Sequence, residues 1–306
     1  MNKEKLYVWA CDLSQYTGEG NLGNLFLKKK LKILYDLKIV KPKYQTIIES
    51  SFFKNKYITP ILGIFFCWKL YLLKKKIYYL NYLPLWNVLI FSLLPPSTML
   101  GPITGGSNFR NDVSFNYFIR RYLFPVLYKL SIFILSKRKV NTIFATSLLK
   151  KYLNDKLKQN SDFNYFLQGL KKKNNVKKKK IYDFIIYYRK HRNKQKLYPF
   201  EFIKKLVKSN FKIIVVGDKL EINGIKNLGY LNKKKLETAL SKTKIFISSE
   251  ENIYNFFAID CVNNNVNVLT SFKPIKIGYK FDKKIIYYNN RKIFKKKDII
   301  KLLKKF

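Results

Sequence analysis

At 306 residues the chain is long enough to bury a large core and falls where chains divide into two domains. A hydrophobic share of 47% with 17% aromatic residues excludes a disordered protein. The net charge of +44 would draw polyanions, yet only 7 of the 62 basic residues are Arg, the planar cation that base and phosphate readers favour.

Residues 6–12 (LYVWACD) read as a first strand, followed by a loop with Gly18, Gly20 and Gly23 and a helix through Leu25 and Leu31. The uncharged stretch 77–109 is cut by Asn81, Pro84, Asn87, Pro95 and Pro96, so it reads as core pieces rather than a spanning helix. Those pieces are a strand at 76–80, a helix at 85–94 and a strand at 97–101 ending at Pro102. Residues 57–73 are apolar but shorter and contain Lys69, which leaves attachment to one membrane face open. A long amphipathic helix is expected around 114–135 despite Pro125, then a strand at 141–146.

The run KKKNNVKKKK that closes 154–180 can bury nothing and serves as the candidate linker. The boundary is placed near residue 175, giving domains 1–174 and 175–306. Beyond it the chain alternates strand and helix: 182–188, 198–209, 211–217, 225–230, 232–242, 244–248, 253–263 and 266–270. Residues 296–306 look like a short amphipathic helix. This rhythm predicts an α/β protein of two Rossmann-like domains with parallel sheets.

Ligands in such sheets lie off the carboxyl ends of the strands. Arg189 to Lys194 follow the strand 182–188, where two cations five positions apart can straddle a diphosphate or form a solvated basic loop. Ser248, Ser249, Glu250 and Glu251 end the strand 244–248, with Asp260 downstream. These acids either bind sugar or ribose hydroxyls or favour a helix start. The loop Gly18–Gly23 offers backbone amides to an anion or makes a tight turn. The three cysteines and the solitary His191 lack metal-ligand spacing, so no metal site is expected. Sparse cysteines and the absence of a signal-peptide core lead to an expected cytoplasmic protein. Abundant Lys, Asn, Ile, Tyr and Phe beside 4 Ala suggest AT-rich codon usage, with attraction to acidic lipids as the rival account of the charge.

Together these residues resemble the GT-B glycosyltransferases of the retaining, glycogen-synthase-like superfamily. Arg189 and Lys194 match the family's Arg, four residues, Lys spacing after the first strand of the C-terminal domain. NGIKNLGYLNKKKLETALSKTKIFISSEE is similar to the run that places Gly229 and Tyr230 before a helix and Ser248 and Ser249 at a strand end. ENIYNFFAIDCVNNNVNVLTS is similar to its acidic motif, and LGPITGG (100–106) to the "GP-x-GG" loop of bacterial members. Three departures stand out. Eight residues rather than seven separate Glu251 from Asp260, Asn252 stands at the regular distance from Asp260, and the N-terminal half has no His.

The resemblance implies two domains facing across a cleft and metal-independent, retaining hexosyl transfer from a nucleotide-sugar, with no cofactor. Arg189, Lys194 and Glu251 would be catalytic. Gly217, Gly229, Tyr230, Ser249, Glu250 and Asp260 would bind the donor. Gly18, Glu19, Gly20, Gly105 and Gly106 would face donor and acceptor. It implies a saccharide or lipid-linked acceptor, a role in polysaccharide, lipopolysaccharide or glycolipid synthesis, and peripheral contact with an anionic membrane at the inner face of the cell membrane. The alternatives are a non-catalytic sugar- or lipid-binding relative and a polyanion-binding protein without specific nucleic-acid recognition.

Overall fold

The structure, a computed structural model, describes residues 3–14, 17–40, 52–105, 118–138, 140–171, 179–190, 197–249, 253–271 and 276–288, with Lys297, Ile299, Ile300 and Lys304 near the end. It divides into two compact units, Met1–Gln168 and Gly169–Phe306. The candidate linker residues 172–178 and most of 296–306 lie outside the described residues.

The N-terminal unit holds a six-stranded parallel sheet in the order β2-β1-β3-β4-β5-β6. Its strands are β1 (Lys5–Ala10), β2 (Asp36–Val40), β3 (Lys76–Pro84), β4 (Met99–Thr104), β5 (Thr142–Phe144) and β6 (Ser161–Asp162). Successive side chains of a strand point to opposite faces, and β3 shows the result. Tyr79 packs with Trp9, Ile64, Cys67, Leu70 and Phe91 in one core cluster. Tyr78 meets Phe26 on the other face at 5.9 Å between ring centroids. That second face is covered by α1 (Gly18–Phe26), which runs on through a π turn at Leu27–Leu31. The first face is covered by α2 (Phe52–Leu72), α3 (Val88–Leu93) and α4 (Phe124–Lys137). The charge-free stretch thus divides into strand, helix and strand as its prolines imply, although β4 runs on through Pro102 to Thr104. A π turn at Ile119–Leu123 runs directly into α4, so the helix passes through Pro125, and the wider turn takes up its ring and missing N–H.

A buried arginine locks this face. The Arg138 guanidinium donates to the carbonyl oxygens of Phe91 at 3.1 Å, and of Leu94 and Thr98 at 3.2 Å, and also to that of Pro95. These carbonyls belong to the end of α3 and the turn after it, groups that a helix leaves without partners. Arg138→Met strands several buried acceptors and is expected to lower stability by about 2–3 kcal/mol. A urea melt of the variant measures this, and an unchanged midpoint contradicts the locking role.

The C-terminal unit holds a second six-stranded parallel sheet in the order β12-β11-β10-β7-β8-β9. The strands are β7 (Tyr182–Tyr188), β8 (Ile213–Gly217), β9 (Lys226–Asn227), β10 (Thr243–Ile247), β11 (Asn267–Thr270) and β12 (Ile285–Tyr287). Counted from β7 this is the doubly wound order 3-2-1-4-5-6. Its central strands are buried on both faces, which is why their sequences read as unbroken apolar runs rather than alternating ones. Phe184, Ile186, Ile213, Val215 and Ile245 form its core with Ile203 and Leu206 of the helix Phe200–Lys208. Two such units in one chain make up the α/β, two-sheet architecture expected from the sequence.

Candidate functional site

The strand order of the C-terminal sheet reverses between β7 and β10, which pair in parallel with Ile186 opposite Ile247. In doubly wound sheets the crevice outside the carboxyl ends at such a switch point is where ligands bind. Arg189 follows β7 and Ser248 follows β10, so the fold puts these sequence-predicted residues at neighbouring strand ends.

Arg189 is exposed, and its guanidinium lies over the Tyr187 ring, 5.5 Å from the centroid. Tyr187 stacks on Phe257 at 4.9 Å and 11° between planes, and Phe257 meets Phe246 edge-on at 4.9 Å. Phe257 belongs to α5 (Phe256–Asn263, numbering here the helices used in the argument), which follows β10. One row of rings therefore ties the cation after β7 to the first turn of the helix after β10.

On the other side of β7, Gly217 ends β8 opposite Tyr188. Its φ is +102°, and a Cβ there would lie 2.2 Å from the Tyr188 carbonyl oxygen, so only glycine fits. The Gly217 N–H donates to the Gly229 carbonyl at 3.0 Å, and the Asp218 N–H to that of Tyr188 at 3.0 Å. The Asp218 carboxylate accepts from the Lys190 N–H at 2.6 Å and from the Tyr230 hydroxyl at 2.8 Å. Those two bonds, with the Arg189 charge behind them, hold its carboxyl below the usual carboxylate range. Gly217, Gly229, Tyr230 and Arg189, separate in sequence, thus meet around one carboxylate. Asp218 was not among the expected site residues. Its signals are scarcity, with 18 acids in the chain, and its place directly after the strand 211–217.

At the β10 end, the Ser248 N–H donates to the Leu269 carbonyl at 3.0 Å, and its hydroxyl is buried without a partner among the described residues. Ser249 is half-buried beside it. The Asn255 side chain caps α5 by accepting from the Ala258 N–H at 2.9 Å. The helix end so formed carries partial positive charge of the kind that suits anions. Lys194, His191, Glu250, Glu251 and Asn252 lie outside the described residues.

Asp260 occupies a different setting. Midway along α5, its electrostatic neighbours are Lys171, Lys233 and Glu237, the last two on the helix Lys233–Ser241. The Lys171 N–H donates to Asn263 Oδ1 at 2.8 Å, which docks Lys171 on the end of α5. Burial pushes the Asp260 carboxyl up to about 6 against the pull of the two lysines. A raised carboxyl pKa contributes stability that is full below the unfolded value and lost as pH rises through about 6. Asp260→Asn is therefore expected to stabilise the fold by on the order of 2 kcal/mol at pH 7, with the gain vanishing near pH 4. Thermal melts at both pH values check this; equal gains at both contradict it.

In the N-terminal unit the structure corrects one expectation. Gly18, Glu19 and Gly20 are not loop residues but the first turn of α1. Thr17 caps that helix by accepting from the Gly20 N–H at 3.0 Å, and its own hydroxyl donates to Asp12 at 2.6 Å. A Cβ on Gly20 would lie 2.4 Å from the Ser14 carbonyl oxygen. Glycine here serves close approach of helix and loop rather than turn flexibility. The helix still starts at the carboxyl end of β1, beside the β1–β3 switch point. Gly105 directly follows β4, and Gly106 lies outside the described residues.

No family model and no curated protein sequence matches the chain. Among solved structures it is similar to an alpha-glucosyltransferase in complex with UDP-glucose and DNA, at 11% identity and TM-score 0.49, over 100% of this chain and 90% of that one. It is similar to the E. coli heptosyltransferase WaaC with an ADP-fluoroheptose, at 9% identity and TM-score 0.38, over 99% of each chain. It is also similar to the Methanocaldococcus jannaschii UDP-GlcNAc 2-epimerase with UDP-GlcNAc and UDP, at 12% identity and TM-score 0.43, over 88% of this chain and 83% of that one. The fold itself is read from the two strand orders. The residues around Arg189 and Asp218 stand on their own geometry.

Proposed function

We propose that the chain is a glycosyltransferase whose C-terminal unit holds a nucleotide-sugar donor. The observation that carries this reading is the Arg189 guanidinium at the switch point, seated on Tyr187 and flanked by a loop pinned through Asp218. In transfer, the bond from the sugar carbon to the diphosphate oxygen breaks and a bond to the acceptor oxygen forms, while the acceptor proton departs. Negative charge then grows on the leaving diphosphate. A positioned cation stabilises that charge more than it stabilises the bound donor, and this difference is what accelerates the reaction.

In this reading Lys194 is the second cation on the diphosphate, and Glu250, Glu251, Ser249 and Asp260 serve sugar and ribose. The acceptor, a saccharide or lipid-linked molecule of surface polysaccharide, lipopolysaccharide or glycolipid synthesis, is bound by the N-terminal unit near Gly18–Gly20 and Gly105–Gly106. Transfer proceeds with retention and without a metal, at the cytoplasmic face of the membrane. The test is release of nucleoside diphosphate from a panel of nucleotide-sugars, with and without saccharide acceptors and chelator. Release that depends on Arg189 supports the proposal. Donor binding without turnover across the panel supports instead the non-catalytic relative, a reading favoured by the setting of Asp260 among Lys171, Lys233 and Glu237.

A further inference from the structure

Three helices of the N-terminal unit are apolar on both sides. The inner side of α2 gives Ile64, Cys67 and Leu70 to the core. Its outer side shows Ile58, Ile61, Phe65, Trp68 and Leu72, spaced three and four apart, with Phe65 67% and Leu72 76% exposed. A soluble surface helix keeps one side polar; one that is apolar all round is covered by something. α3 continues the surface with Leu89, 67% exposed, and Leu93. Val126, Leu130 and Phe133 extend it along α4.

Direct contacts join these helices into one face. The Trp68 indole N–H donates to the Leu93 carbonyl at 2.8 Å, linking α2 to α3. Trp86, just before α3, stacks on Phe124 at the start of α4 with 5.6 Å between centroids. Monomeric soluble proteins rarely expose an apolar surface this broad, and where they do it marks a docking site. No helix among the described residues is long and apolar enough to cross a membrane.

Charge decides the occupant. From Ser50 to Asn154 the sequence carries 15 Lys and Arg and a single acid, Asp112. Lysines border the face at Lys69 on α2 and at Lys74 and Lys75 just beyond it. On α4, Lys137 lies 4.3 Å from the centroid of the Phe133 ring, and in the π turn before α4 Arg121 lies 5.6 Å from that of Tyr122. Cations beside exposed rings, with indoles at the same surface, suit an interface that is apolar below and anionic above. A second copy of the chain would bring the same positive sign to the contact and repel it.

We infer that the face formed by α2, α3 and α4 docks on a bilayer carrying anionic headgroups, lying in its interface rather than spanning it. Juxtaposed basic residues add about 1 kcal/mol each near such a surface, and the apolar side chains enter the headgroup boundary. The face lies wholly in the N-terminal unit, and its occupant does not depend on what the C-terminal unit binds.

Two of the three tryptophans, Trp68 and Trp86, are exposed on this face, while Trp9 is buried, so intrinsic fluorescence reports docking. The full chain is titrated with vesicles of phosphatidylglycerol and phosphatidylcholine in equal parts, and with phosphatidylcholine alone. The expected result is a blue shift and co-sedimentation with the anionic vesicles, weakened by added salt. The triple variant Phe65→Ser, Leu72→Ser, Phe133→Ser removes exposed side chains only and is expected to bind about tenfold or more weakly with its melting temperature kept. Absence of binding by the unaltered chain, or full binding by the triple variant, overturns the inference. So does a dimer that the triple variant dissolves while vesicles fail to bind, since the face would then be covered by a second copy.

Discussion

Arg189→Ala is expected to reduce glycosyl transfer by about 10²–10³-fold, the cost of removing one preorganised group from a developing oxyanion. The side chain is exposed, lying over the Tyr187 ring with its charge near the Asp218 carboxylate at the surface, so the core does not depend on it. The melting temperature should therefore stay within about 1 °C of the unaltered protein, as for a surface substitution. Steady-state turnover beside a thermal melt separates the two effects. Unchanged turnover would remove Arg189 from the leaving-group role. A melting temperature several degrees lower beside the lost activity would make it a structural residue.

Gly217→Ala should behave in the opposite way, losing stability and ligand binding together. The new methyl group would press on the Tyr188 carbonyl oxygen at 2.2 Å, in a backbone conformation of φ +102° that side chains avoid. β7 and β8 must part at the pair Tyr188–Gly217, from which the Asp218 N–H reaches back to Tyr188. A cost of about 3 kcal/mol is expected, at the top of the range that strain at a special backbone position produces. Because Asp218 holds both the Lys190 amide and the Tyr230 hydroxyl, moving it releases the loop that carries Arg189. Chemical denaturation and donor binding measured on the same sample check the coupling. Stability lost with binding kept would show that the β8 end does not shape the site.

The C-terminal sheet was legible because its central strands are buried on both faces. Runs such as 182–188 and 211–217 need no partner to be recognised as strands. The edge strands were not. β2 is a mostly exposed DLKIV, and β12 is three residues long, so neither carries a strong apolar signal. α2 read as an apolar stretch of open meaning because its outer side breaks the amphipathic rule that identifies surface helices.

The site divides along the same line. Arg189 could be found from its place after a clear strand. Asp218 carries the same signal after the strand 211–217, but its role does not show in the sequence, because its partners Lys190 and Tyr230 lie 28 and 12 residues away and only the sheet brings them together. The glycines after β1 misled in the other direction. Their low helix propensity argued for a loop, while the Thr17 cap and the tight approach of Gly20 to Ser14 start a helix there.

The central claim, a diphosphate-bearing donor held at the β7–β10 switch point, is tested most directly by calorimetric titration of the full chain with nucleoside diphosphates. Binding of at least one of them, weakened about tenfold or more by Arg189→Ala and unaffected by the triple substitution on the α2–α4 face, is the result predicted. Failure of every nucleoside diphosphate to bind, or binding that ignores the loss of Arg189, would contradict it.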